Sequence, residues 1–173
     1  MRIIPIFANK LFAFQYNNEA YNEYDRLLRL WNDLEYLHSF LKENEKDVKE
    51  ISQEDLALQI TNDANIIDVT LYNIYTNESR SLEEFFKQLH NSEYQAQVLS
   101  KRKGRKNYLR IYALKIDENC FVITGGSIKL TQLMQGRTHT ETELKKINTC
   151  KQYLSDNGVF DSDSFFEFLI DTV

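Results

Sequence analysis

The stretch KRKGRKNYLRIYALKIDENCFVITGGSIKLT, residues 101–131, decides the fold. Residues 107–116 alternate in character, 120–124 are rich in β-branched and aromatic types, and Asp117-Glu118-Asn119 between them is turn chemistry. Together with residues 94–100, of similar composition, they predict an antiparallel β-meander. Side chains alternate along a strand, so Tyr108, Arg110 and Tyr112 are predicted on one face and Leu109, Ile111 and Ala113 on the other. Gly125-Gly126 predicts a break in the next strand, which resumes over residues 128–130.

Upstream of the meander, residues 3–7 and 11–16 read as two extended segments around the turn-prone Ala8-Asn9-Lys10, a hairpin whose Pro5 marks an edge strand. From 19 to 45, Ala20, Tyr24, Leu27, Trp31, Leu34, His38 and Leu41 recur at helical steps and predict one amphipathic helix with His38 against the core. Ser52 is a predicted N-cap for a second helix to about residue 75, carried by Leu56, Ile60, Ala64, Ile67, Leu71 and Ile74, and the two helices are expected to form an antiparallel hairpin. Capping boxes at Ser81-Leu82-Glu83-Glu84 and Thr140-Glu141-Thr142-Glu143 predict helices over about 81–89 and 140–155, the latter ended by Asn157-Gly158. The tail, residues 161–173, reads as a short acidic helix that docks through its phenylalanines. The expected fold is therefore α+β in a single domain, 1–173: a hairpin plus helical part over 1–94, a basic sheet and helix over 95–155, and an acidic tail over 156–173.

Composition restricts the function. The chain of 173 residues is 42% hydrophobic and 13% aromatic, enough for a packed core, and its 5 Gly and 1 Pro leave no flexible linker. Its 21 Lys and Arg against 26 Asp and Glu give a net charge of -5, which argues against indiscriminate polyanion binding by the whole surface. That charge is unevenly spread: residues 1–100 carry -8, residues 101–151 carry +8 and residues 152–173 carry -5. Such a basic block either binds phosphate-bearing ligands or is neutralised by the protein's own acidic parts. Cys120 and Cys150 lie at no metal-ligand spacing and are expected to be reduced, core-associated thiols. With neither a signal-peptide core nor a run of about 20 apolar residues, the chain is expected to be cytoplasmic without membrane contact.

Most local signatures of catalysis are missing: no Gly-x-x-x-x-Gly-Lys-Ser/Thr, no Gly-x-Gly-x-x-Gly, no His-Glu-x-x-His and no Gly-x-Ser-x-Gly. What remains is Lys101-Arg102-Lys103-Gly104-Arg105-Lys106, then Arg110 between Tyr108 and Tyr112, Lys129, and Arg137-Thr138-His139. Cationic groups with interleaved aromatics suit RNA, since guanidinium grips phosphate bidentately and tyrosine stacks on unpaired bases. Cleavage of RNA without metal or other cofactor needs the same residue types: a base for the ribose 2′-OH, a cation for the phosphorane and an acid for the leaving oxygen. The competing reading makes residues 101–106 a solvated hairpin loop and pairs Arg110 with a helix acid. An enzyme acting on a small phosphorylated substrate is a third class.

The run Tyr108-Leu109-Arg110-Ile111-Tyr112, then Phe121-Val122-Ile123-Thr124-Gly125-Gly126, Ile128-Lys129-Leu130-Thr131, and a helix with Glu143-Leu144 and Tyr153-Leu154, resembles the sheet and last helix of RelE/ParE-type toxins. The phage-derived, Gp49-like HigB branch is the most similar. The resemblance covers roughly residues 95–155 and implies a RelE-like fold and a type II toxin–antitoxin protein, an endoribonuclease (mRNA interferase) acting on mRNA at or off the ribosome. It further implies a small cognate antitoxin as partner. By position Arg110 and Lys129 match the family's basic pattern, with Tyr112 and His139 as proton-transfer candidates and Arg137 as a backbone contact beside Lys101, Arg102, Lys103, Arg105 and Lys106. Typical members are shorter and more basic, so the N-terminal half and the acidic tail are departures, and a non-catalytic protein-interaction module of the same fold is the alternative.

Overall fold

The computed structural model describes residues 1–48, 51–89, 99–130 and 138–171, with the backbone alone at 138–140. The N-terminal hairpin forms as its sequence dictates. β1 (Arg2–Phe7) pairs antiparallel with β2 (Leu11–Gln15) around a turn in which Asn9 takes a positive φ of 62°. Pro5 sits on the edge strand, the position in a sheet where a residue without an N–H is tolerated.

The helical stripe over 19–45 is two helices, α1 (Glu23–Trp31) and α2 (Leu34–Glu43). Asn32 closes the first, and Asp33 turns extended and accepts a hydrogen bond from the Tyr36 amide as the N-cap of the second. This break shifts the helical phase, so Leu37 and Leu41 are buried while Leu34 and His38 are exposed, opposite to the expected core position of His38. α3 (Gln53–Thr76) starts at the expected Ser52 cap and buries Leu56, Ile60, Ala64, Ile67, Leu71 and Ile74. Both α1 and α2 pack on it.

The Ser81 capping box is present, but it caps a single 3₁₀ turn, Leu82–Glu84, rather than a helix to residue 89. Leu82 and Phe86 enter the core there, and the chain continues as the two-residue strand β3 (Lys87–Gln88). The strand expected over 94–100 falls outside the described residues up to position 98. The basic residues 101–106 are not a loop: they form β4 (Ser100–Lys106), which pairs antiparallel with β5 (Leu109–Asp117). β6 (Cys120–Ile128) completes the meander and passes unbroken through Gly125 and Gly126. Thr124 is the extra residue of a bulge, since Tyr112 faces Gly125 while Ala113 faces Ile123.

Among the described residues the strands form one six-stranded sheet, ordered β1-β2-β6-β5-β4-β3. The β2–β6 pair is parallel, so the sheet is mixed rather than wholly antiparallel. Helices cover both faces. Leu11, Ala13, Leu109, Ile111, Phe121 and Ile123 pack with α1–α3. Phe12, Phe14, Tyr112, Leu114, Cys120 and Val122 pack with α4 (Thr138–Asp156) and α5 (Ser162–Asp171). Burial on both sides explains why the central strands read as apolar runs. α4 begins two residues before the expected box and ends as expected: Gly158, at φ +76°, donates to the Ser155 carbonyl while Val159 donates to that of Leu154, the paired bonds of a left-handed C-cap. The acidic tail docks through aromatics, with Phe165 edge-on to Phe12, while Asp163, Glu167 and Asp171 stay exposed. No described helix is long and apolar enough to cross a membrane.

The glycine pair holds this packing together. A Cβ on Gly126 would lie 2.6 Å from the Arg110 carbonyl oxygen and 2.7 Å from Leu27 Cδ1, and the first of these is backbone that cannot swing away. Gly126→Ala is therefore expected to lower unfolding stability in urea by about 1–3 kcal/mol, the range for overpacking. A loss below a few tenths of a kcal/mol would mean that α1 and β5 adjust freely.

Candidate nucleic-acid interface

Strand alternation divides the basic block between the two faces of the sheet. Lys101, Lys103 and Arg105 stand opposite Leu114, Tyr112 and Arg110, on the face covered by α4, whereas Arg102 and Lys106 stand opposite Ala113 and Leu109, on the α1–α3 face. Lys101 is buried, and its ammonium donates to Asn148 Oδ1 of α4, a structural use. Arg102 Nε donates to Ser100 Oγ at 3.1 Å, and Lys106 lies near the buried Asp63 of α3. Of the six residues expected to bind RNA, Lys103 and Arg105 therefore stand with Arg110. Arg137 lies outside the described residues, as does the side chain of His139.

Four cations, two from β4, one from β5 and one just after β6, act on one another. Burial lowers the proton affinity of Lys103, and so do the nearby charges of Arg110, Lys129 and Arg105. Burial and Arg105 act in the same direction on Arg110, and burial, Arg110 and Arg105 do so on Lys129. Among the described residues no carboxylate pairs with Lys103, Arg105 or Arg110. The expected ion pair between Arg110 and a helix acid is not formed. Instead Arg110 Nη1 donates to the carbonyls of Asn107 at 2.5 Å and Leu109 at 2.8 Å, which leaves the Nε and Nη2 edge to an outside ligand.

The turn that supplies one of those carbonyls is itself anchored. Asn107 has a positive φ of 39°, and its Nδ2 donates to Asp63 Oδ1 at 3.2 Å. The Asp63 carboxyl is pushed above its ordinary range chiefly by burial, against the opposing effect of nearby Lys106 and Asn107. Lys129, which donates its backbone N–H to the Tyr108 carbonyl at 2.7 Å, follows β6 into the same corner. There Gln59 of α3, Asn107, Tyr108, Arg105, Arg110 and Lys129 surround a cavity of about 680 Å³.

The two expected tyrosines part company. Tyr108 precedes β5 and packs partly against the α1–α3 core, whereas Tyr112 is buried beneath α4. Burial raises the Tyr112 phenol, a side-chain hydrogen bond with Ser127 lowers it, and Glu143 and Arg110 act on it in opposite directions. Its ring cannot serve as a stacking surface, and its hydroxyl sits between the cationic cluster and an acidic one.

That acidic cluster left no signal as a site in the sequence. Glu143, read as a capping residue, lies within α4 and is buried with Glu23 of α1 against Gly125, where a Cβ would collide with Glu143 Oε2. Arg26 grips Glu23 with bonds of 2.6 and 2.8 Å, and Lys146 Nζ lies 3.3 Å from Glu23 and 3.5 Å from Glu143. Glu143 Oε2 is buried with no hydrogen-bond partner among the described residues. Tyr16 closes this region, donating to the Thr124 carbonyl at 2.6 Å and touching Cys150 Sγ at 3.1 Å. Burial pushes the Cys150 thiol up to about 12, and Cys120 likewise, so both are inert at neutral pH.

Comparison with protein-family models, curated proteins and solved structures finds no match.

Burial holds the Glu143 carboxyl above its ordinary value of 4.5, with Glu23 adding to the shift and Lys146 and Arg26 opposing it. The folded chain therefore keeps this proton to higher pH than the unfolded chain, and this group's contribution to stability falls as pH rises above 4.5. Glu143→Gln removes the titration. Thermal denaturation of both proteins across this window is expected to favour the variant increasingly as pH rises, whereas a difference independent of pH would exclude the shift.

Proposed function

We propose that this chain acts on RNA as a toxin-like, metal-independent mRNA endonuclease of a type II toxin–antitoxin pair, with mRNA or the ribosome as target and a small antitoxin as its protein partner. One observation carries the reading: Arg105, Arg110 and Lys129 line an open cavity, with Lys103 near enough to feel the charges of all three, a mutual repulsion that a bound polyanion relieves. The bulk of the acidic surface contributes no such field, so binding is local to this corner.

In this reading the Nε and Nη2 edge of Arg110 grips the non-bridging oxygens of one phosphate, with Lys129 beside it. Attack by the ribose 2′-oxygen forms the new P–O bond as the bond to the 5′-oxygen breaks. The 2′-OH proton passes to a base, a proton passes to the leaving oxygen, and a cyclic phosphate results without consumption of water. Arg110 and Lys129 stabilise the charge that grows on the phosphorane. Lys103, pushed toward its neutral form by burial and its neighbours, stands across from Tyr112 as the group suited to exchange a proton. The burial of Tyr112 favours the other reading, a face that binds without cleaving.

Controlled expression in a bacterium, with mapping of new 5′ ends on cellular mRNA, separates the two. Wild type is expected to arrest growth and create new ends. Arg110→Ala and Lys129→Ala are expected to abolish both at unchanged soluble level, and each to reduce the salt slope of RNA binding by about 1. Salt-dependent RNA binding without new ends would leave the interaction module, and no binding would reject the RNA reading altogether.

A further inference from the structure

Asp63 lies in the middle of α3 and is 1% exposed, beside Ile60, Ala64 and Ile67, which hold that helix in the core. A carboxyl group in such a place is removed from water at a cost, and helix formation does not ask for it. Its Oδ2 has no hydrogen-bond partner among the described residues. Lys106, whose charge reaches it, forms no ion pair with it. The contact that Asp63 does make is through Oδ1, which accepts from Asn107 Nδ2 at 3.2 Å.

Asn107 occupies a demanding position. With Tyr108 it forms the two-residue turn between β4 and β5, at a φ of 39° that residues other than glycine seldom adopt. The carbonyl of this residue accepts from Arg110 Nη1 at 2.5 Å, and the Leu109 carbonyl accepts from the same atom at 2.8 Å. A line of hydrogen bonds thus runs from a buried carboxylate on α3, through the side chain and then the carbonyl of Asn107, to a guanidinium on β5. By charge alone, an acid this close to a phosphate site opposes the ligand, so its removal would strengthen binding. By geometry, its removal frees the turn and weakens binding. The two roles therefore predict opposite signs.

We infer that Asp63 is a positioning residue for phosphate binding: it fixes the Asn107 turn, and the turn fixes Arg110. The inference rests on the RNA reading above, in which Arg110 grips phosphate, and deepens it.

Two measurements on the full chain test it: affinity for a short single-stranded RNA at one fixed salt concentration, and the order of the Arg110 Nε–H from nitrogen relaxation in the absence of RNA. Asp63→Ala is expected to weaken RNA binding about threefold to tenfold, the cost of immobilising one long side chain, and to mobilise the Arg110 Nε–H. Asn107→Gly, an exposed position where glycine accepts the same φ, deletes only the amide and is expected to do likewise, which keeps the test open if Asp63→Ala fails to fold. Asp63→Asn keeps an acceptor and removes the charge, and is expected to bind within about twofold of wild type. In an Arg110→Ala background neither Asp63→Ala nor Asn107→Gly is expected to weaken binding further, whereas a purely structural role would add its loss in full. Tighter binding by Asp63→Ala and Asp63→Asn alike would make Asp63 an opposing charge and overturn the inference. Additive losses, or an Arg110 Nε–H unmoved by both Asp63→Ala and Asn107→Gly, would overturn it as well. Absence of RNA binding by wild type would reject the RNA reading and the role in phosphate binding with it, and the Nε–H measurement would then decide the positioning of Arg110 by itself.

Discussion

Two positions without side chains, Gly125 and Gly126, set the distance at which helices lie on this sheet. They are neighbours on β6 and point to opposite faces. Above one, Glu143 of α4 fills the space a Cβ would need. Above the other, Leu27 of α1 does the same, while the Arg110 carbonyl of β5 closes in from the side. The bulge at Thr124 brings this pair into place, and the extra residue is held by the bond from its hydroxyl to the Tyr112 carbonyl at 3.2 Å. Arg110, Tyr112 and Ser127 take their facing from the same register, so the candidate interface inherits its geometry from a packing constraint several residues away.

Electrostatically the sheet sorts what the sequence leaves mixed. The basic block reads as one patch because its members are adjacent in sequence. As a strand, it sends alternate residues to opposite faces, and only one subset meets Arg110 and Lys129. The other subset is consumed by structure, Arg102 near Ser100 and Lys106 near Asp63. Local density of charge in sequence is thus a poor guide to density in space once the segment is extended. A protein of net charge -5 can still present a concentrated cationic corner, because screening over about 10 Å confines the field to the residues that line it.

The elements legible in the sequence are those set by local chemistry. The Asn9 turn, the Ser52 cap, the Asn157-Gly158 stop and the alternation of β5 each depend on a few adjacent residues. The break at Asn32-Asp33 was hidden because Leu34 and His38 continue the preceding period, and only the cap formed by Asp33 resets it. The glycine pair was read as an interruption, since nothing local says that two helices need the room. At the site, Arg110 and Lys129 stood out as cations in strand context. Glu23, Glu143 and Gln59 did not, since each lies on a helix among many polar residues and acquires meaning only from what the sheet places against it.

Arg110 illustrates why the corner is ordered before any ligand arrives. A lone arginine on a strand loses side-chain freedom when it grips phosphate, and affinity suffers by that amount. Here the chain has already fixed it: Asp63, rigid within α3, holds the Asn107 turn, and the Asn107 and Leu109 carbonyls hold Nη1. The same two bonds occupy Nη1 and leave Nε and Nη2 without a partner among the described residues. Cations brought this close repel one another, and the fold holds them there through the anchored turn at one end and the glycine pair at the other. Helices α1–α3 are therefore more than an appendage to the sheet. They supply the anchor Asp63 and the wall Gln59, and a chain reduced to the sheet and α4 would keep the charges while losing what aims them.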